Sequence, residues 1–147
     1  MPTVVSEIVI DAPLEQVYEV ARDIEQFPQF MDDVEAVTIL EKTPERQVSH
    51  WVGNIKELRR TIVWTEEDFW KPEDHSCTFK QTEGDFSAYG GSWAFAPEGD
   101  GTRVTMTIDY EYNVPLVGAL IQGILKKKMQ ANTDAMLGAI KKKAEEK

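Results

Sequence analysis

The sequence predicts an α+β domain, a curved seven-stranded antiparallel sheet wrapped around one long C-terminal helix, with two short helices after the first strand. Three observations carry this. From Val34 to Tyr112 the apolar residues recur at every second position, which is the strand period. The breaks in that stretch are short and rich in Pro, Gly and Asp, so successive strands pair antiparallel, since parallel pairs need long crossovers. After Pro115 the period becomes helical and stays so to near the end of the sequence.

The elements follow in order. Residues 3–10 alternate, with Val4, Ser6, Ile8 and Ile10 on the better-buried face of a first strand. Asp11 reads as a helix N-cap, with Pro13 in the first turn. Val17, Tyr18, Val20, Ala21 and Ile24 follow at helical spacing, and Pro28 interrupts them, which gives two short helices over 13–23 and 25–31. Six strands are expected over 34–42, 46–55, 57–70, 75–83, 87–97 and 102–113, with Gly90-Gly91 marking a bulge or sharp bend. In the long helix Ile121, Leu125, Met129, Met136 and Ile140 form an apolar stripe, with Lys126, Lys127, Lys141, Lys142 and Lys143 mostly off it.

Composition narrows the function classes. The 147 residues fit one domain, 1–147, with 41% hydrophobic and 29% charged residues. One cysteine, Cys77, excludes an intrachain disulfide and a cysteine zinc cage. The start lacks a basic, apolar leader, and a reducing cytoplasm is the expected compartment. The longest nearly apolar run, Val114 to Leu125, is shorter than the ~20 residues a membrane-spanning helix needs. A net charge of −10 opposes general nucleic-acid binding. The charge is uneven. Residues 1–115 hold 9 basic and 23 acidic side chains, whereas 116–147 hold 7 lysines and 3 acids. The lysine-rich helix therefore balances the acidic body or makes weak contact with an anionic membrane surface. The sequence does not set the oligomeric state.

One helix is ~10 Å wide and cannot fill a wide curled sheet. Large side chains or a cavity must occupy the rest. Several stretches resemble the helix-grip superfamily of START-like or SRPBCC domains, in the branch of polyketide cyclase/dehydrases and coenzyme-Q-binding proteins. They are IVIDAPLEQVYEVARDIEQFPQFM, the run Gly91, Trp93, Phe95, then EGDGTRVTMTIDYEYNVP and the closing helix. The resemblance covers nearly the whole chain. It implies a deep hydrophobic cavity between sheet and helix that binds a lipid, quinone, polyketide or hormone. In a minority of members it implies cyclisation or dehydration. No catalytic set of the cyclase enzymes matches here residue by residue.

Strand parity selects the residues that would line such a cavity. They are Trp51, Arg60, Ile62, Trp64, Phe79, Gln81, Trp93, Phe95, Met106, Ile108 and Tyr110 from the sheet, and Leu125, Met129, Asn132 and Met136 from the helix. The face of strand 46–55 stays open between Ser49, Trp51, Gly53 and Val48, His50, Val52. An inward Arg60 needs a carboxylate or an anionic ligand group, because it does not deprotonate. Asn132 either bonds a neighbouring side chain or meets ligand or water. Glu66-Glu67-Asp68 reads as solvated charge, and His75 as a solvated turn residue.

The function expected is binding, and potentially transport or chaperoning, of a lipophilic small molecule without cofactor or metal. Access would pass near Phe27–Met31 and the start of the long helix. The alternatives are a polyketide cyclase/dehydratase using Arg60, Tyr110, His50 or Glu66 as acid or base, and a membrane-associated respiratory quinone chaperone.

Overall fold

A computed structural model describes residues 2–31, 34–55, 59–112 and 119–146, without the side chains of Ile55, Arg60, Ala119, Leu120 and Ile121. Strand β1 (Thr3–Ile10) leads through helix α1 (Leu14–Arg22), a 3-10 turn (Ile24–Gln26) and helix α2 (Phe27–Phe30) to strand β2 (Val34–Lys42). Then follow β3 (Arg46–Ile55), β4 (Arg60–Lys71), β5 (Ser76–Gly84), β6 (Ala88–Glu98), β7 (Gly101–Glu111) and helix α3 (Ala119–Glu145). All seven strands form one antiparallel sheet in the order β1-β7-β6-β5-β4-β3-β2. The chain therefore meanders from β2 to β7 and pairs its last strand with its first. The link from β1 to β2 must cross from one sheet edge to the other. It does so through α1 and α2, whose buried faces (Val17, Tyr18, Ala21, Ile24, Phe27) enter the same core as the sheet.

Two local details differ from the sequence reading. Pro13, not Asp11, holds the N-cap position of α1, with no side-chain cap. The Asp11 N–H instead donates to Glu145 Oε2 at 2.8 Å, tying the β1–α1 corner to the end of α3. Nor is there a register shift at Gly90-Gly91. The register shifts lie between Val34 and Ala36 and between Ile39 and Glu41 in β2, and at Thr65/Glu66 between β4 and β5. What Gly91 provides is clearance. A Cβ there would lie 1.9 Å from the Thr107 carbonyl oxygen, so the backbones of β6 and β7 approach too closely for any side chain.

Helix α3 buries Leu125, Met129, Thr133, Leu137, Ile140 and Ala144. It also covers the free edge of β1. Gln130 Nε2 donates to the Val5 carbonyl at 3.0 Å and Lys141 Nζ to the Val9 carbonyl at 3.1 Å. These contacts occupy acceptors that an open edge would offer to another chain. Ser6 Oγ donates to Asp134 at 2.5 Å on the same seam. Among the described residues, no helix is long and apolar enough to cross a membrane. No group of three or more His, Cys, Asp or Glu among them is suited to hold a metal ion.

Candidate functional site

Sheet curvature and a single gripping helix leave an interior cavity of about 230 Å³. Its wall comes from every layer. Ile24, Phe27, Phe30 and Met31 close it from the short helices, Met129, Asn132, Met136 and Ala139 from α3, and the inner faces of β2 to β7 form the rest.

The largest wall is aromatic and continuous. Trp51 of β3 and Trp64 of β4 are register partners and stack with ring centroids 5.7 Å apart and planes within 7°. Phe27 meets Trp51 edge-on at 5.9 Å, while Trp64 meets Tyr89 at 5.4 Å and Phe86 at 5.7 Å. Cross-strand pairing of inward aromatics builds this wall, because directly opposed side chains lie ~5 Å apart. Trp51 Nε1 donates to Ser49 Oγ at 2.9 Å and Trp64 Nε1 to Glu66 Oε1 at 2.7 Å, so both indoles are fixed at their polar ends.

Of the sheet residues selected by parity, Trp51, Ile62, Trp64, Phe79, Trp93, Met106 and Ile108 stand in the cavity wall, with Met129, Asn132 and Met136 of α3. Four others do not. Gln81 clamps the β5–β6 loop, donating to the Phe86 carbonyl at 2.9 Å and accepting from the Phe86 N–H at 3.3 Å. It thereby sets Phe86 in the wall rather than standing there itself. Phe95 packs against Tyr18 and Trp93, and Leu125 and Tyr110 are buried in solid core. The side chain of Arg60, like Leu58 and the segment before α3, lies outside the described residues.

Strand β3 turns Ser49, Trp51 and Gly53 inward. His50 is on the other face, with Nδ1 3.0 Å from Thr65 Oγ1, and is not an interior base. His75 is a turn residue, as expected, but it is only partly exposed. Its Nε2 lies 2.6 Å from Glu15, and its ring packs edge-on against Tyr18.

The main correction concerns the acids. Glu66 and Asp68 are 5% and 3% exposed and line the cavity, while Glu67 is on the outer face bonded to Arg46 at 2.5 Å. The alternation of β4 forces this, because Ile62, Trp64, Glu66, Asp68 and Trp70 share one face. Burial pushes both carboxyls up, and each is hydrogen-bonded to the other; the neighbouring Glu66 charge raises Asp68 further. The physical outcome is a pair that holds at least one proton at neutral pH, since two adjacent carboxylates out of water repel. The Tyr89 hydroxyl is also pushed up, by burial first and then by the two acids.

Comparison with known proteins agrees with this architecture. Residues 10–137 match the family described as polyketide cyclase / dehydrase and lipid transport. The chain is 30% identical over 142 residues to the actinorhodin polyketide synthase bifunctional cyclase/dehydratase of Streptomyces coelicolor. That alignment covers 93% of this chain but only 42% of the relative, so the chain spans less than half of that protein's length. A crystal structure of a protein from Thermus thermophilus superposes with a TM-score of 0.92 at 35% identity, covering 97% of each chain. An aromatase/cyclase from Streptomyces sp. R1128 superposes with a TM-score of 0.89 at 20% identity, over 98% of this chain and 93% of that one, a likeness of fold. With its curved sheet, gripping helix and matching family model, the chain belongs to the polyketide cyclase/dehydrase and lipid transport family, and it shares its fold with a START superfamily protein.

Proposed function

We propose that the chain binds a lipophilic small molecule, flat or flexible, in the interior cavity. The observation that supports this reading is the cavity of about 230 Å³ between Trp51, Trp64, Tyr89 and α3. Apolar burial supplies the driving force. A guest hiding ~300 Å² of apolar surface gains ~7 kcal/mol at ~25 cal/mol per Å² before the entropy of association is subtracted, which is below the ~8 kcal/mol of a micromolar complex, so polar contacts must supply the rest. The methionines Met106, Met129 and Met136 suit guests of varied shape, because an unbranched thioether re-packs at low cost. Native mass spectrometry of freshly purified protein tests the reading. One bound small molecule per chain is the expected result, identified after denaturation. If the protein emerges empty, saturable one-to-one quenching of its tryptophan fluorescence by 9-fluorenone is expected. An empty protein with no saturable quenching overturns the proposal.

A second reading, catalysis, is favoured by one feature, the proton-sharing Glu66–Asp68 pair in the cavity wall. Such a pair suits removal of water from a β-hydroxy ketone. The charged member takes the proton α to the carbonyl, the neutral member gives its proton to the departing hydroxyl, and water leaves with one proton still on the pair. Incubation with 4-hydroxy-4-phenylbutan-2-one, followed by absorbance of the conjugated product, tests this. A rate equal to that of the Glu66→Gln/Asp68→Asn double variant removes it.

A further inference from the structure

The polar part of the cavity wall has more hydrogen-bonding capacity than the fold uses. On the inner face of β4, Glu66 is opposite Ser49 and Asp68 is opposite Gln47 across the β3 register. Ser49 and Glu66 are engaged, the first by Trp51 and the second by Trp64. The next rung is engaged only in part, where Asp68 meets Glu66. Asp68 Oδ1, Trp70 Nε1 and both side-chain polar atoms of Gln47 are shut off from solvent and have no partner, and neither has the Tyr18 hydroxyl, whose ring meets Trp70 edge-on at 5.5 Å. Asp68, Trp70 and Gln47 are 3%, 3% and 1% exposed, and the first two stand in the cavity wall. Buried polar groups in folded proteins are nearly always paired. Several orphans on neighbouring residues beside a cavity mark the place where a ligand atom completes the set.

Their chemistry says which atom. An indole N–H can only donate, whereas Asp68 shares its proton with Glu66 and gives it to a ligand only in exchange for that bond. Asp68 and Trp70 are two residues apart on one strand face, about 6.7 Å along the strand. The ligand group beside Trp70 must therefore accept. It must also carry no negative charge, because an added anion would face the acid pair, and the described residues of the cavity wall include no Lys or Arg to offset it. Arg22, stacked over the Tyr18 and Trp70 rings, is already committed through its guanidinium to the Pro44 carbonyl at 2.8 Å.

We propose that Asp68 and Trp70 form a subsite for a neutral carbonyl oxygen (ketone, quinone or ester) on an otherwise apolar ligand, and that the cavity discriminates against free carboxylates. The inference rests on the cavity-binding reading and narrows its ligand class. It places the carbonyl end of the guest against β4 and the hydrocarbon body between the Trp51–Trp64 stack and α3.

Three tricyclic probes of matched shape test it on the full chain: 9-fluorenone, fluorene and fluorene-9-carboxylate, each titrated against tryptophan fluorescence. The ketone should bind about tenfold tighter than the hydrocarbon, which corresponds to one net hydrogen bond, and the carboxylate should bind weakest. The carbonyl stretch of bound 13C-labelled fluorenone should shift to lower frequency in the infrared. Trp70→Phe keeps the packing ring and should cut the ketone preference several-fold while moving the band back. Asp68→Leu should do the same, whereas Asp68→Asn, which keeps an N–H donor, should retain most of the preference. Equal affinity for ketone and hydrocarbon, with a band unmoved by Trp70→Phe, overturns the subsite and leaves the cavity reading standing. No binding of any probe removes both.

Discussion

Strands β4 and β7 follow the same pattern and do opposite things with it. Each turns alternate side chains into the interior. On β7 these are Thr102, Val104, Met106, Ile108 and Tyr110, all buried, and apolar from Val104 through Ile108. On β4 they are Ile62, Trp64, Glu66, Asp68 and Trp70, all of which line the cavity, two of them acids. The β7 face is built for stability. The β4 face gives up stability, because each buried acid must stay protonated or paired and two of its polar atoms, Asp68 Oδ1 and Trp70 Nε1, stay unpaired. The proposed carbonyl subsite would give these polar groups a use, on the β4 side of the cavity.

The largest test introduces on β7 what β4 tolerates. Ile108→Asp should lower unfolding stability by about 4 kcal/mol in urea titrations, since the new carboxyl would lack the partner that Glu66 and Asp68 give each other. A loss below ~1 kcal/mol would mean the two faces are alike and the contrast is empty. The converse change should go the other way. Glu66→Met/Asp68→Leu should leave stability unchanged or raise it by about 2 kcal/mol while abolishing any preference for a carbonyl guest. A destabilised double variant would make the pair a structural necessity.

A pH series sharpens the comparison. Both acids have folded-state values raised above those of the unfolded chain. The folded state therefore binds more protons than the unfolded one, and stability falls as pH rises above the ordinary carboxylate range near ~4. The wild-type urea midpoint should decline from pH 5 to pH 9, and the double variant should show a flatter profile. Glu145 works in the opposite sense. The Lys141 hydrogen bond, then that from the Asp11 N–H, holds its carboxyl below the usual range, so this tie is lost as pH falls. A midpoint that rose steadily from pH 5 to pH 9 would contradict the protonated state of the interior pair.

Most of the sheet was legible because alternation and turn chemistry are local. β2 and β3 run over 34–42 and 46–55, as the period-two reading has them, and β4 to β7 match within a few residues. The wall residues Ile62, Trp64 and Phe79 followed from parity alone, whereas parity left the face of β3 that carries Trp51 open. What could not be read was how far along each strand the cavity extends. Tyr110 and Phe95 have the right parity but lie where the core is solid, and Gln81 has the right parity but a loop to hold. The acids were misread for a different reason. Three acids in sequence are usually solvated, but the alternation that turns Trp64 inward also turns Glu66 and Asp68 inward. Phe86 lies in a turn, and no periodicity marks an inward turn residue; its place depends on the Gln81 clamp.

The smallest expected effect concerns the one orphan polar atom on the β7 face. The Tyr110 hydroxyl is buried without a partner, and burial pushes its pKa up. Unlike Asp68 and Trp70, Tyr110 is not in the cavity wall. If the orphans of β4 serve a ligand and that of β7 does not, the two should answer differently to removal. Tyr110→Phe deletes the oxygen and keeps the ring edge toward Phe86 at 6.4 Å. Stability should hold or rise by up to ~1 kcal/mol, because an unsatisfied buried group is lost with little change in packing. Fluorenone affinity should stay within about twofold, whereas Trp70→Phe should lower it several-fold. A Tyr110→Phe variant that lost fluorenone affinity as Trp70→Phe does would place the ligand's polar end on β7 and reverse the assignment of the two faces.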